Sequence, residues 1–441
     1  GLDDLFTESP VVVNGLIKIY ADWITKTGID GFRIDTAKHV NKEFWRAFLP
    51  AMRTAAKTAG KNSFPMWGEV YDSDENQTSY WIKNASFYEV LDFPMQSAFV
   101  DFINNGSTSK YVSVLNGDDV YSSTRSNAGK LITFLGNHDM GRIGSFITKV
   151  TGNNDLQLSR ATMAHALLFA TRGNPAVYYG DEFGLTGNGD QQARQDLFPT
   201  SVTQWKTQAR IGGLPIANGS SFDTTNPIQE QIQAVSALRL SDEAFTSGPQ
   251  VLRFAGSNLL VFSRINLRTG NEYLCAFNTS NSPTDRLITA GVGNSEWTKV
   301  AGNGTLESSG NSARLKLAAN DWAIFKSSSS IPTSNSVGIV LSPIVVNYDD
   351  ASQYKIQAKV TPGTYRQVNF YRKAPKEKWA LIGSDNAPLF NSSNVPVTKD
   401  VYRIFPLRSS FKKFTKYQMK AELVTLDNHS VTSKAINFTA K

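Results

Sequence analysis

The sequence predicts an α/β fold on a parallel sheet followed by two antiparallel β units, and three observations carry the prediction. Over residues 1–242, stretches with helical apolar spacing alternate with short apolar runs, the pattern of a parallel sheet covered by helices. The runs fall at 31–35, 66–69, 87–93, 131–136 and 176–179, which makes five strands. Beyond residue 242 the helical spacing stops, and strand-like runs separated by turn residues continue to the end of the chain.

Ser9-Pro10 reads as a helix N-cap followed by proline in the first turn. Val13, Leu16, Ile17, Tyr20, Trp23 and Ile24 repeat at helical spacing, and Gly28 suits the left-handed position that ends a helix. A second helix spans 41–59, with Asn41 as cap and Phe44, Trp45, Phe48, Leu49 and Met52 facing inward. The run 87–93 reads as a strand stopped by Pro94. Two helical segments, the strand at 131, a helix over 156–171 and the strand 176–179 follow. Residues 180–226 form a polar, glycine-rich loop whose length points to a function of its own, and a helix over 227–240 closes the unit.

Strands are then expected at 251–254, 259–265, 272–277, 315–317 and 322–325, in an antiparallel domain over 243–327. Residues 328–336 are Ser-rich and read as a flexible linker. The strand spacing over 337–441 fits an immunoglobulin-like sandwich. A linker and a separate charge balance predict few contacts between this tail and the first unit.

The 45 Lys and Arg against 38 Asp and Glu give a net charge of +7, and the excess is local. Residues 337–441 hold 16 basic against 7 acidic residues, which leaves 29 against 31 for the rest. The tail's Arg366, Tyr371, Arg372 and Lys373 are spaced as on a solvated strand face, so no nucleic-acid partner is expected. No apolar run approaches the ~20 residues that span a bilayer, so no membrane partner is expected either. Cys275 is the single cysteine and reads as a small core residue. There is no Cys-x-x-Cys, no HExxH and no Walker-type glycine loop.

The chemistry gathers on Gly31-Phe32-Arg33-Ile34-Asp35-Thr36-Ala37-Lys38-His39. Arg33 and Asp35 share one face of a strand, and the cation holds the carboxylate ionised. An oriented anion at the C-terminal end of a parallel strand suits a nucleophile, although a structural ion pair has the same pattern. Two further runs end in acids: Met66-Trp67-Gly68-Glu69, and 131–135 followed by Gly136-Asn137-His138-Asp139. With these motifs the chain resembles the α-amylase family of glycoside hydrolases, glycoside hydrolase family 13. Residues 31–39 are similar to its second signature region, 68–72 to its third and 136–139 to its fourth; 173–182 are similar to its last barrel strand.

The resemblance implies a (β/α)8 TIM-type barrel of which this chain holds strands four to eight. The first three strands, the inserted domain and the first signature region are then expected in an N-terminal fragment that completes the barrel. It implies retaining endo-hydrolysis of α-1,4-glucosidic bonds in starch-like polysaccharides or maltooligosaccharides. Asp35 is the implied nucleophile, Glu69 the acid and then base, and Asp139 the acid that binds sugar hydroxyls. Such a reaction needs Glu69 protonated at rest. Arg33, Lys38, His39 and His138 are the implied substrate-binding residues, and the His39 carbonyl a ligand of structural calcium. Tyr71 and Asp72 follow Glu69 and could line the same cleft. A secreted or periplasmic enzyme is expected. A cyclodextrinase or oligosaccharide α-glucosidase of the same family, or a non-catalytic carbohydrate-binding relative, remain as alternatives.

Overall fold

The computed structural model describes residues 5–332, 337–361, 365–385, 401–425 and 429–441. Helix α1 (Pro10–Thr27) starts with proline in its first turn and ends at Gly28, whose φ of 72° lets its N–H reach the Ile24 carbonyl. Strand β1 (Phe32–Ile34) follows, then α2 (Lys42–Thr58), β2 (Met66–Gly68), α3 (Glu75–Asn84), β3 (Glu89–Val90), α4 (Phe93–Asn105), α5 (Ser109–Gly117) and β4 (Ile132–Phe134). Helices α6 (Ile143–Thr148) and α7 (Asn154–Ala170) lead to β5 (Asn174–Ala176). The short α8 (Gly189–Gln192) and α9 (Thr203–Thr207) interrupt the long loop before α10 (Pro227–Ser241) and α11 (Glu243–Thr246).

The five strands run parallel and in chain order. β1 pairs with β2 and β2 with β3; Leu91 bridges to Ile132, and β4 pairs with β5. They are shorter than the sequence suggested. The third holds two residues, because Asp92 accepts from the Met95 N–H and starts α4 at Phe93. Pro94, read as a strand stop, is thus a first-turn helix residue, where its missing N–H costs nothing. The last strand falls at Asn174–Ala176 rather than 176–179. Asn41 precedes α2 without a side-chain cap bond; its Oδ1 accepts from the Thr7 hydroxyl instead. Among the described residues, the outer edges of β1 and β5 have no strand partner.

The second unit comprises β6 (Gln250–Gly256), β7 (Leu259–Ile265), β8 (Asn271–Asn278), β9 (Thr284–Thr289), β10 (Trp297–Gly302), β11 (Thr305–Ser309), β12 (Ser312–Leu317) and β13 (Asp321–Ser330). Two antiparallel sheets result, in the orders β10-β13-β8-β7-β6 and β11-β12-β9. Alternate residues of β7 enter two different cores. Leu260 and Phe262 join the helices α4 and α7, while Leu259 and Val261 meet Ile288, Leu306 and Leu315 of the smaller sheet. Burial on both faces is why residues 259–262 of β7 and 273–277 of β8 are unbroken apolar runs. Cys275 is buried in the first of these cores, as expected. Ser328, Ser329 and Ser330 belong to β13, so the expected linker starts later than residue 328, and its residues 333–336 lie outside those described.

The tail holds β14 (Ile339–Leu341), β15 (Val345–Val346), β16 (Tyr354–Val360), β17 (Tyr365–Lys373), β18 (Ala380–Asp385), β19 (Val401–Ile404), β20 (Lys416–Thr425), β21 (Ser430–Thr432) and β22 (Ile436–Thr439). One sheet is built on β16 with β14, β15 and β19, the other on β17 and β20 with β18, β21 and β22. Ile356, Ala358, Phe370, Met419 and Leu423 share the core.

The tail is not loosely tethered. Arg403 of β19 forms an ion pair with Asp119, which lies in the 3-10 turn Asp118–Tyr121 of the first unit. The Lys83 ammonium at the end of α3 sits 5.9 Å from the Phe405 ring centroid. Burial there pushes its pKa down to about 8, against the pull of Asp119 and Asp350. The expectation of few contacts is therefore corrected: charged groups of both units are desolvated together. Arg403→Ala leaves Asp119, 1% exposed, without this cation. Because Arg403 itself keeps 24% of its exposure, the expected loss is about 2 kcal/mol rather than the 3–5 of a fully buried pair. Urea unfolding of R403A, D119N and the double variant measures it; additive losses in that cycle mean the two residues do not interact.

Candidate active site

Strands β1 and β2 are each followed directly by an acid, Asp35 and Glu69. The parallel register sets Arg33 beside Trp67 and Ile34 beside Gly68, so Asp35 and Glu69 emerge next to each other. The Glu69 N–H donates to the Ile34 carbonyl at 2.8 Å, and the Ala37 N–H to the Glu69 carbonyl at 3.0 Å. Gly68 is needed for this fit: a Cβ there would fall 2.9 Å from Phe87 and 3.0 Å from Ala37.

Arg33 joins the two acids. Its Nη1 lies 2.5 Å from Asp35 Oδ1 and its Nη2 2.9 Å from Glu69 Oε1. Glu69 also accepts from the Thr36 N–H at Oε2, 3.1 Å away. Thr36 takes a left-handed φ of 47° to make that bond, a strained state for a β-branched residue and costly unless the surroundings enforce it. Glu69 is buried, whereas the Asp35 side chain is 62% exposed. Burial acts to raise the Asp35 pKa. Hydrogen bonds from Arg33 and Glu69, with the charges of Arg33 and His138, outweigh it and hold Asp35 below the usual carboxylate range.

The fourth strand contributes His138 and Asp139, with His138 Nε2 3.2 Å from Asp139 Oδ2. Arg194, from the loop after β5, donates to Asp139 Oδ1 at 3.1 Å. Below them Arg142 is fully buried, pairs with Asp181 at 3.1 Å and packs against the Tyr178 and Tyr179 rings. Reading the motifs missed Arg142 and Arg194. Arg142 stands three residues after Asp139, and Arg194 four after Asp190 in the loop whose length had marked it as functional.

Lys38 and His39 are placed differently. The Lys38 ammonium donates to the Tyr71 carbonyl at 2.5 Å and lies over the Tyr71 ring, so it is held by the loop after β2. Tyr71 is exposed and packs edge-on to Phe93. Asp72 accepts from the Asp74 N–H. His39 is exposed at the end of the 3-10 turn Ala37–His39, whose Ala37 is buried. Calcium takes six to eight oxygens, and no group of three or more His, Cys, Asp or Glu that could hold a metal occurs among the described residues. The expected His39 carbonyl does not make a calcium site by itself.

With this geometry in place, the family described as "Alpha amylase, catalytic domain" matches residues 1–247. The chain belongs to the α-amylase family. It is 33% identical over 398 residues to an α-amylase of Streptomyces lividans, covering 88% of this chain and 43% of that protein. It is 31% identical over 192 residues to a cyclomaltodextrinase of a Bacillus species, covering 43% of this chain and 32% of that one. The chain therefore spans less than half the length of these family members. In fold it is similar to the α-amylase of Geobacillus thermoleovorans solved in complex with acarbose, with a TM-score of 0.61 and 23% identity over 74% of this chain and 66% of that one.

If Arg33 is what keeps Asp35 anionic, Arg33→Gln raises the Asp35 pKa, since burial then works against a weaker opposition. Carbon-13 NMR titration of the Asp35 carboxyl reads this directly. An unmoved midpoint assigns the effect to Glu69 or His138 instead.

Proposed function

We propose that the chain is the catalytic part of a retaining hydrolase that cuts α-1,4-glucosidic bonds inside starch-like polysaccharides. The observation that carries this reading is the pair Asp35 and Glu69, gathered on one guanidinium at the ends of adjacent strands. A retaining pair stands about 5–5.5 Å apart, an inverting pair about 6.5–9.5 Å, which leaves room for water; the close pairing supports retention.

Asp35 attacks the anomeric carbon while Glu69 gives its proton to the departing glycosidic oxygen. The resulting glycosyl ester on Asp35 is opened by water, from which Glu69, now a carboxylate, takes a proton. Asp139 and His138 bind sugar hydroxyls next to the reacting carbon. Arg33 keeps Asp35 ionised between turnovers. Lys38 and His39 line the leaving-group side of the cleft, with the Tyr71 ring held by Lys38. A cyclodextrinase activity is the second reading, supported by the likeness to the Bacillus cyclomaltodextrinase.

The unpaired edges of the five-strand arc support a further part of the proposal. A cleft of about 450 Å³ runs beside β1, lined by Leu5, Tyr20, Phe32, Arg33, Asp35 and Phe44. An N-terminal segment supplying three strands fills it and closes the barrel. The same segment adds the remaining oxygen ligands around the His39 carbonyl for calcium. We assign the enzyme to the secreted or periplasmic space, divide it at residue 242 and after the end of β13 at Ser330, and class the tail as an immunoglobulin-like sandwich.

Glu69→Gln separates the roles. Activity on starch falls by about a hundredfold or more, whereas cleavage of an aryl maltoside with an activated leaving group falls much less, because that bond needs no acid. Equal losses on the two substrates remove Glu69 from the acid role. Starch products from the 441-residue chain, assayed with and without the completing segment, test the rest. Sedimentation should show the chain alone associating and inactive; a monodisperse monomer that cuts starch contradicts the completed-barrel proposal.

A further inference from the structure

Asp139 is held from two sides. His138 stands at Oδ2, and Arg194 at Oδ1 comes from 55 residues further along the chain. Arg194 is placed there by its backbone neighbours. The Tyr178 hydroxyl donates to the Ala193 carbonyl at 2.9 Å and the Tyr179 hydroxyl to the Gln195 carbonyl at 2.9 Å. Arg142 Nε donates to Gln195 Oε1 at 2.8 Å. The loop is also pinned at its start, where the Arg142 N–H donates to the Gly187 carbonyl and the Gly187 N–H to Ser145 Oγ. A Cβ on Gly187 would fall 2.2 Å from the Gln192 carbonyl oxygen, so only glycine lets the loop fold this closely.

The segments that carry Asp139 and Arg194 are therefore one stapled unit. The Arg194 side chain itself remains 51% exposed over the cleft and also grips Asp190. Ion pairs between half-exposed groups add little stability, so the pinning of this loop has its consequence in orientation. The Arg194 guanidinium at Oδ1 and the His138 ring 3.2 Å from Oδ2 restrict rotation of the carboxylate, and each oxygen keeps lone pairs for sugar hydroxyls.

Resting on the glycosidase reading above, we infer that Arg194 is a positioning residue: it holds the Asp139 carboxylate, opposite His138, in the orientation that receives sugar hydroxyls in the transition state. Orientation matters most where hydrogen bonds tighten as charge develops on the sugar, so the loss appears in kcat more than in KM.

The test compares wild type, R194A and R194K in the full-length enzyme on maltooligosaccharides. For R194A, kcat falls about tenfold or more while KM stays within about threefold. R194K recovers part of the rate. Guanidinium ion at tens of millimolar also recovers part of the R194A rate, because the vacated position is open to solvent. A rate within about twofold of wild type overturns the inference, as does a loss that neither lysine nor guanidinium restores. A rise in KM at unchanged kcat overturns it too, and places Arg194 on the sugar directly. A wild type that leaves both starch and maltooligosaccharides intact fails the glycosidase reading itself, and the positioning role with it.

Discussion

The parallel register between β1 and β2 is the constraint on which the site depends. Strands about 4.8 Å apart bring neighbouring ends together only when the register is right, and here it sets Ile34 against Gly68. A slip of one residue would turn Arg33 and Asp35 away from the cleft. Packing supports the register: Phe87 and Ala37 occupy the space where a Cβ on Gly68 would stand, leaving no room for a side chain there. The strained Thr36 follows from the same arrangement, since the chain must turn at once after Asp35 to aim an N–H at Glu69. Arg33 then has two acids to hold rather than one, and Asp35 stays anionic while exposed to the cleft.

A second constraint is the set of arginines buried beneath and behind the site. Arg264 of β7 donates to the carbonyls of Ala170, Ala244, Phe245 and Gly248. Arg239 of α10 donates to those of Phe169, Thr171 and Gly173. The last turn of α7 leaves carbonyls that the helix cannot satisfy, and these two cations satisfy them, at the favourable end of the helix dipole. Arg172 follows immediately and pairs with Asp92 and Asp118. The chain is thus steered from α7 into β5 by groups on four other elements. The antiparallel unit supplies one of them, so it belongs to the framework of the catalytic end rather than being an appendage to it.

What the sequence made legible follows the same physics. The helices α1, α2, α7 and α10 were located closely, because long apolar-rich stretches bounded by capping residues, proline or glycine mark a helix even where, as in α1, little of it is buried. The acids at strand ends were visible because a short apolar run stopped at each. Strands β9, β10 and β11 went unread: residues such as Arg286, Lys299 and Glu307 point to solvent, and their one apolar face is too thin to stand out. Arg194 was illegible for a different reason. Its position depends on hydroxyls of Tyr178 and Tyr179 and on the buried Arg142, and no local pattern encodes a contact made across 55 residues. The tail's seat on Asp119 was hidden likewise, since a serine-rich stretch signals flexibility whether or not the domains beyond it dock.

The open edge of β1 bears on the chemistry as well as on the fold. Beside it, α1 leaves Val11 81%, Ile19 53% and Trp23 53% exposed, while only Ile24 of that helix is buried. An unpaired strand edge next to an uncovered apolar helix surface calls for a strand and a helix together, the unit that the proposed completing segment would repeat. Such a unit would stand across the cleft from Arg33 and take water away from Asp35. In lower dielectric the Arg33 charge acts more strongly on the carboxylate, and so does the burial that opposes it. The anionic state of Asp35 then rests on Arg33 more heavily than it does in the open arc, which is why one guanidinium shared by both acids is the feature a closed barrel has most need of.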